Sequence, residues 1–72
     1  MQQPWPTQAP AQIKAVANVL AQAGAALTLD GVAARFSARG RWRERLPGIL
    51  DLLVALGRAR VQGDGAWVEM GR

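Results

Sequence analysis

The feature that most constrains this chain is a change of hydrophobic period at Gly57. Before it, apolar residues recur at the three- and four-residue spacing of helices; after it they alternate, as in half-buried strands. Helices first and a strand pair last is therefore the expected order. From about Gln8 to Ala23, the residues Ile13, Val16, Ala17 and Leu20 form one apolar stripe, and Gly24 supplies a stop. Thr28 suits the N-cap of a short second helix, with Asp30 in the turn where the helix dipole favours an acid. Leu29, Val32, Ala33 and Phe36 carry that helix to about Phe36, and Ser37-Ala38-Arg39-Gly40 reads as a tight turn. A third helix is expected from about Arg41 to Leu56, with Trp42, Leu46, Ile49, Leu50, Leu53 and Leu56 on its buried face. Pro47 is tolerated if the first turn begins near Arg43, where a missing N–H has no intrahelical partner; otherwise it kinks the helix.

Beyond Gly57, Ala59, Val61, Val68 and Met70 alternate with Arg60, Gln62, Trp67 and Glu69. Asp64-Gly65 is a favoured two-residue hairpin turn. Centred there, the hairpin pairs Val61 with Val68 and Arg60 with Glu69. Trp67 then lies beside Gln62 on the outer face, while Ala59, Val61, Val68 and Met70 cover the third helix. Ahead of the helices, residues 1–10 are rich in Gln and Pro and lack any period, so they read as an extended arm or linker, with 11–72 as the domain. Trp5 sits between Pro4 and Pro6; an indole is costly to leave in water, so it either packs back on the domain or anchors a partner.

Seventy-two residues hold only one core. The absence of cysteine and histidine excludes disulfides, thiolate chemistry and imidazole-based metal sites. Tyrosine is also absent and Ser37 is the only serine, so a tuned nucleophile and base are missing. The acids Asp30, Glu44, Asp51, Asp64 and Glu69 each have a structural role at a helix start, a helix face or the hairpin. No enzyme, no cofactor and no small-molecule substrate are expected. No apolar run approaches the ~18 residues of a membrane span and the N-terminus lacks a secretory pattern, so a cytoplasmic protein without a membrane partner is expected.

The net charge is +4, and eight of the nine cations are arginine, which grips phosphate or carboxylate through a planar fork. Five of them, Arg35, Arg39, Arg41, Arg43 and Arg45, fall within eleven residues across the turn and the start of the third helix. Arg58 and Arg60 lie at the base of the hairpin. A GC-rich genome also favours Arg, Ala and Gly codons, and a basic cluster can be no more than a solvated surface.

Three helices, the last two joined by a four-residue turn, and then a hairpin make an α+β, mainly α order that resembles a winged helix. Leu27-Thr28-Leu29-Asp30-Gly31-Val32-Ala33-Ala34-Arg35-Phe36 looks like the first two-thirds of a bacterial helix-turn-helix. The run from Arg45 to Ala59 is similar to a recognition helix that ends in Leu-Gly and passes directly into the first wing strand. With its proline-tryptophan arm, the chain also resembles the appended terminal domains of larger bacterial DNA-processing proteins such as helicases and DNA methyltransferases. The resemblance covers about residues 11 to 70 and is one of fold. It implies that Arg35, Arg39, Arg41, Arg43 and Arg45 enter or flank the major groove of double-stranded DNA, with Arg58 and Arg60 gripping the backbone. Against base reading, helical spacing gathers Glu44, Pro47, Gly48 and Asp51 on the face opposite the core, where two carboxylates would meet phosphates. The alternative is a protein-interaction or dimerisation domain that docks through the hairpin with Trp67 and Trp5 as aromatic anchors, without DNA.

Overall fold

The computed structural model describes residues 2–38, 40–63 and 65–70. Two residues before the first helix, Gln3–Pro4, form a short strand, β1. Helix α1 spans Ala9–Ala23; Pro10 occupies its first turn, and Gly24 ends it in the left-handed conformation at φ 66°. Strand β2, Leu27–Thr28, leads straight into α2, Leu29–Ala33, where the Thr28 hydroxyl caps the helix by accepting the Gly31 N–H at 3.1 Å.

Helix α2 stops three residues short of the expected end. Phe36 lies instead in strand β3, Phe36–Ser37, which pairs in parallel with β1. The Arg35 carbonyl, which a continuing helix would need, accepts the Gln3 N–H at 3.0 Å, and the Phe36 ring reaches the core from an extended backbone.

The third helix is also divided, and Pro47 is the reason. An α-helix starting at Arg41 would need the N–H of residue 47 to reach the Arg43 carbonyl, and proline has none. The Leu46 N–H takes that carbonyl in a tighter 3-10 turn over Trp42–Arg45, and α3 runs from Leu46 to Ala55 with Pro47 in its first turn. At the other end Gly57, at φ 77°, donates to the Val54 carbonyl at 3.0 Å, and Arg58 donates to that of Leu53 at 2.9 Å. This pair of bonds closes the helix and reverses the chain. Leu56, expected on the buried face, therefore falls at the cap and is 59% exposed.

Strands β4, Ala59–Gln62, and β5, Ala66–Glu69, form the expected hairpin, and β2 joins it to give an antiparallel sheet in the order β2-β5-β4. The register differs from the expected one by one residue: Val61 pairs with Trp67 and Arg60 with Val68. The closing pair is Gln62 with Ala66, which leaves three residues between the strands instead of two; Gly63 and Gly65 both take positive φ. Asp64, half of the expected turn, lies outside the described residues. A one-residue slip exchanges the faces of one strand. Trp67 accordingly shares the inner face with buried Ala59 and with Leu27, its partner on β2, and packs against the core. Val68 turns outward with Arg60 and Gln62, and both Val61, towards the tip, and Met70 are exposed.

The result is an α+β domain of three helices and a small antiparallel sheet around one aliphatic core. Val16 and Leu20 of α1, Val32 of α2, and Leu46, Leu50 and Leu53 of α3 are fully buried at its centre. Among the described residues, no helix is long and apolar enough to cross a membrane.

Candidate nucleic-acid interface

The arginines divide into two groups, one at each end of α3. Arg35 follows α2, and Arg41, Arg43 and Arg45 belong to the 3-10 turn or its cap. All four are exposed. Arg39 lies outside the described residues. At the far end, Arg58 follows the α3 cap, and Arg60 projects from the outer face of β4, opposite Val68.

Two of these side chains already meet acids. Arg43 donates to a carboxylate oxygen of Asp30 at 2.8 Å, joining the turn to the start of α2. Arg41 Nε lies 3.9 Å from the Glu44 carboxylate. Both pairs are largely solvated, so each is worth less than about 1 kcal/mol and yields readily to a stronger anion. Among the described residues, Arg35, Arg45, Arg58 and Arg60 have no carboxylate within 4.0 Å.

The outward face of α3 is of a different kind. Pro47, Gly48, Asp51, Leu52 and Ala55 are its exposed residues, and exposed Leu56 follows at the cap. Asp51 and, on the preceding turn, Glu44 are exposed as the helical spacing predicts. None of these side chains carries an amide or guanidinium fork that reads a base edge. Exposed guanidinium groups thus stand at both ends of a helix whose middle exposes no amide or guanidinium fork. Leu52, Gly48 and Ile49 of α3 instead form a shallow groove with Ala9 and Ile13 of α1, rimmed by Glu44 and Arg45.

No family model, curated protein or solved structure matches this chain. Its chemistry must be read from its own residues. Among the described residues, no cluster of His, Cys, Asp or Glu could hold a metal ion.

The two tryptophans singled out as partner anchors both lie against the domain itself. Trp67 is packed, half-buried, on the inner face of the sheet, not outside it as expected, and its Nε1 is buried without a hydrogen-bond acceptor among the described residues. Trp5 packs against Phe36 and Trp42, and its Nε1 is likewise buried without an acceptor among the described residues.

One residue of consequence escaped the sequence reading. Gln12 is 5% exposed, and its side-chain amide donates to the Pro6 carbonyl at 2.8 Å. Drawn through Val19, which is buried, the α1 stripe becomes Gln12, Val16, Val19, Leu20. A glutamine on such a stripe signals a buried polar group that must find a partner.

Proposed function

We propose that this chain is a winged-helix domain that holds duplex DNA by its phosphates, as a non-catalytic module of a larger DNA-processing or regulatory protein. The hairpin is the wing, β2 is the short strand that completes its sheet, and α3 occupies the recognition-helix position. The observation that carries the reading is the distribution of exposed arginines: Arg35, Arg41, Arg43 and Arg45 at the start of α3 and Arg58 and Arg60 at its end, four of them without a carboxylate partner among the described residues. Such groups position a protein on a duplex, while the apolar and acidic middle of α3 offers no guanidinium or amide fork to a base edge. Binding is thus electrostatic and nearly indifferent to base sequence.

The test is a titration with two unrelated duplexes of about 20 base pairs, each at two or more salt concentrations. Phosphate gripping requires affinity to fall steeply with salt, by about 0.9 in log K per unit of log salt for each phosphate contacted, and equally for both duplexes. Salt-independent binding, or none at low salt, overturns the reading.

A second reading rests on Leu52 of α3 and Leu56 at its cap, which are 40% and 59% exposed. Apolar residues on the outward face of the helix suit a protein partner or a second copy better than a nucleic acid. Trp67, half-buried on the inner face of the sheet, supports that reading less than an outward indole would. Concentration-dependent sedimentation that is abolished by Leu52→Ser and Leu56→Ser, with no DNA affinity, favours docking over phosphate gripping.

A further inference from the structure

The segment ahead of α1 is docked on the turn that carries the arginines. The Gln3 N–H donates to the Arg35 carbonyl at 3.0 Å and the Trp5 N–H to the Ser37 carbonyl at 3.3 Å. Pro4 falls between these two donors, where the parallel pairing asks for no N–H, so proline is accommodated without loss. Gln2 adds a side-chain bond to the Ala34 carbonyl at 3.2 Å. On the other side, the buried Gln12 amide holds the Pro6 carbonyl from α1. Residues 2–6 are therefore a strap fastened at both edges.

The centre of the strap is Trp5. Its ring lies 4.9 Å from Phe36 at 90°, and 4.9 Å from Trp42 at 40°. Phe36 and Trp42 are themselves 6.0 Å apart, so Trp5 completes a three-ring cluster that joins β3 to the 3-10 turn. Edge-on and tilted ring pairs at these distances attract beyond their area of contact. The arginines sit directly on the clamped residues: Arg35 precedes Phe36, and Arg41 and Arg43 flank Trp42. Nothing in the strap carries a charge, since residues 2–8 read Gln-Gln-Pro-Trp-Pro-Thr-Gln. Replacing the uncharged Trp5 therefore removes no ionic contact, and its effect on the arginines' grip of an anion comes through geometry.

We infer that Trp5 is a positioning residue for the arginine-bearing turn, and that the strap fixes the spacing of Arg35, Arg41, Arg43 and Arg45 against the phosphates they grip. The binding half of this statement rests on the phosphate-gripping reading above; the positioning half does not.

Both halves are tested with Trp5→Ala and Trp5→Phe in the full chain, by limited trypsin digestion and by duplex titration. Trypsin cuts after arginine, so the turn and the wing report separately. With Trp5→Ala, cleavage after Arg41, Arg43 and Arg45 should accelerate about tenfold or more, as for local opening, while cleavage after Arg58 and Arg60 changes little. Trp5→Phe keeps an aromatic ring on Phe36 and Trp42, and should restore most of the protection. Duplex affinity should fall with Trp5→Ala although no charge is removed, and return with Trp5→Phe. Equal acceleration at the turn and the wing shows Trp5 to be a general core residue and overturns the inference, as does unchanged cleavage at the turn. Faster cleavage at the turn with undiminished duplex affinity overturns its binding half. If the native chain binds no duplex, the functional reading fails by itself, and the cleavage pattern still decides whether the strap holds the turn.

Discussion

The arginine-bearing turn and the arginine-bearing hairpin are built in opposite ways. The hairpin is held by its own ladder: β5 is hydrogen-bonded to β4 on one side and β2 on the other, and Trp67 adds packing on aliphatic neighbours. The turn has no ladder of comparable length. Its fixed points are the two-residue pairing of β1 with β3, the three-ring cluster around Trp5, and the exposed bond from Arg43 to Asp30. Arg58 and Arg60 thus take their positions from the α3 cap and the β4–β5 pairing that β2 extends, whereas Arg35, Arg41, Arg43 and Arg45 depend on a tryptophan some thirty or more residues away. Electrostatic grips at the two ends of one helix can fail independently.

The contrast yields four graded expectations. The largest effect belongs to Trp67→Ala, which removes a core-packed indole from the central strand. It should destabilise the whole domain by about 3 kcal/mol, read from urea unfolding with no change in slope. A loss below about 1 kcal/mol would return Trp67 to the outer face. Trp5→Ala comes next, at about 2 kcal/mol, because Trp5 packs at the margin of the core and not on its central strand. If it proves as costly as Trp67→Ala, the turn is no less integral than the sheet and the contrast fails. Thr28→Ala deletes the cap at the start of α2 and should cost about 1 kcal/mol, with faster amide exchange in α2 and the turn than in the hairpin. The smallest effect is that of Arg43→Ala. Its bond to Asp30 is solvated, so stability should change by less than about 1 kcal/mol and should be insensitive to salt beyond that amount.

What the sequence made legible follows the same division. Local chemistry could be read directly: Gly24 and Gly57 end helices, Thr28 caps α2, Pro47 stands in a first turn, and Glu44 and Asp51 face solvent. The hairpin was legible as an element but not in register. Gly63-Asp64-Gly65 accommodates a two- or a three-residue connection, and that single residue decides whether Trp67 or Val68 faces the core. Strands of two residues, such as β1, β2 and β3, have no period to read; their pairing is set by partners distant in the chain. Phe36 illustrates the cost, since its four-residue spacing from Val32 imitates a helix although its backbone is extended. At the candidate site, the exposed arginines could be read from composition and spacing. The strap that holds them could not, because its signal is one buried glutamine and one tryptophan between prolines.

The phosphate grip itself is tested most directly at the hairpin, where the arginines can be removed without disturbing what holds the turn. The measurement is the salt dependence of duplex affinity for the native chain and for the double variant Arg58→Gln, Arg60→Gln. Neither side chain has a carboxylate partner within 4.0 Å among the described residues, so the fold should be unaffected. Phosphate gripping at both ends of α3 predicts that the slope of log K against log salt becomes shallower by about 1.8, two contacts at about 0.9 each. An unchanged slope with an intact fold would contradict it.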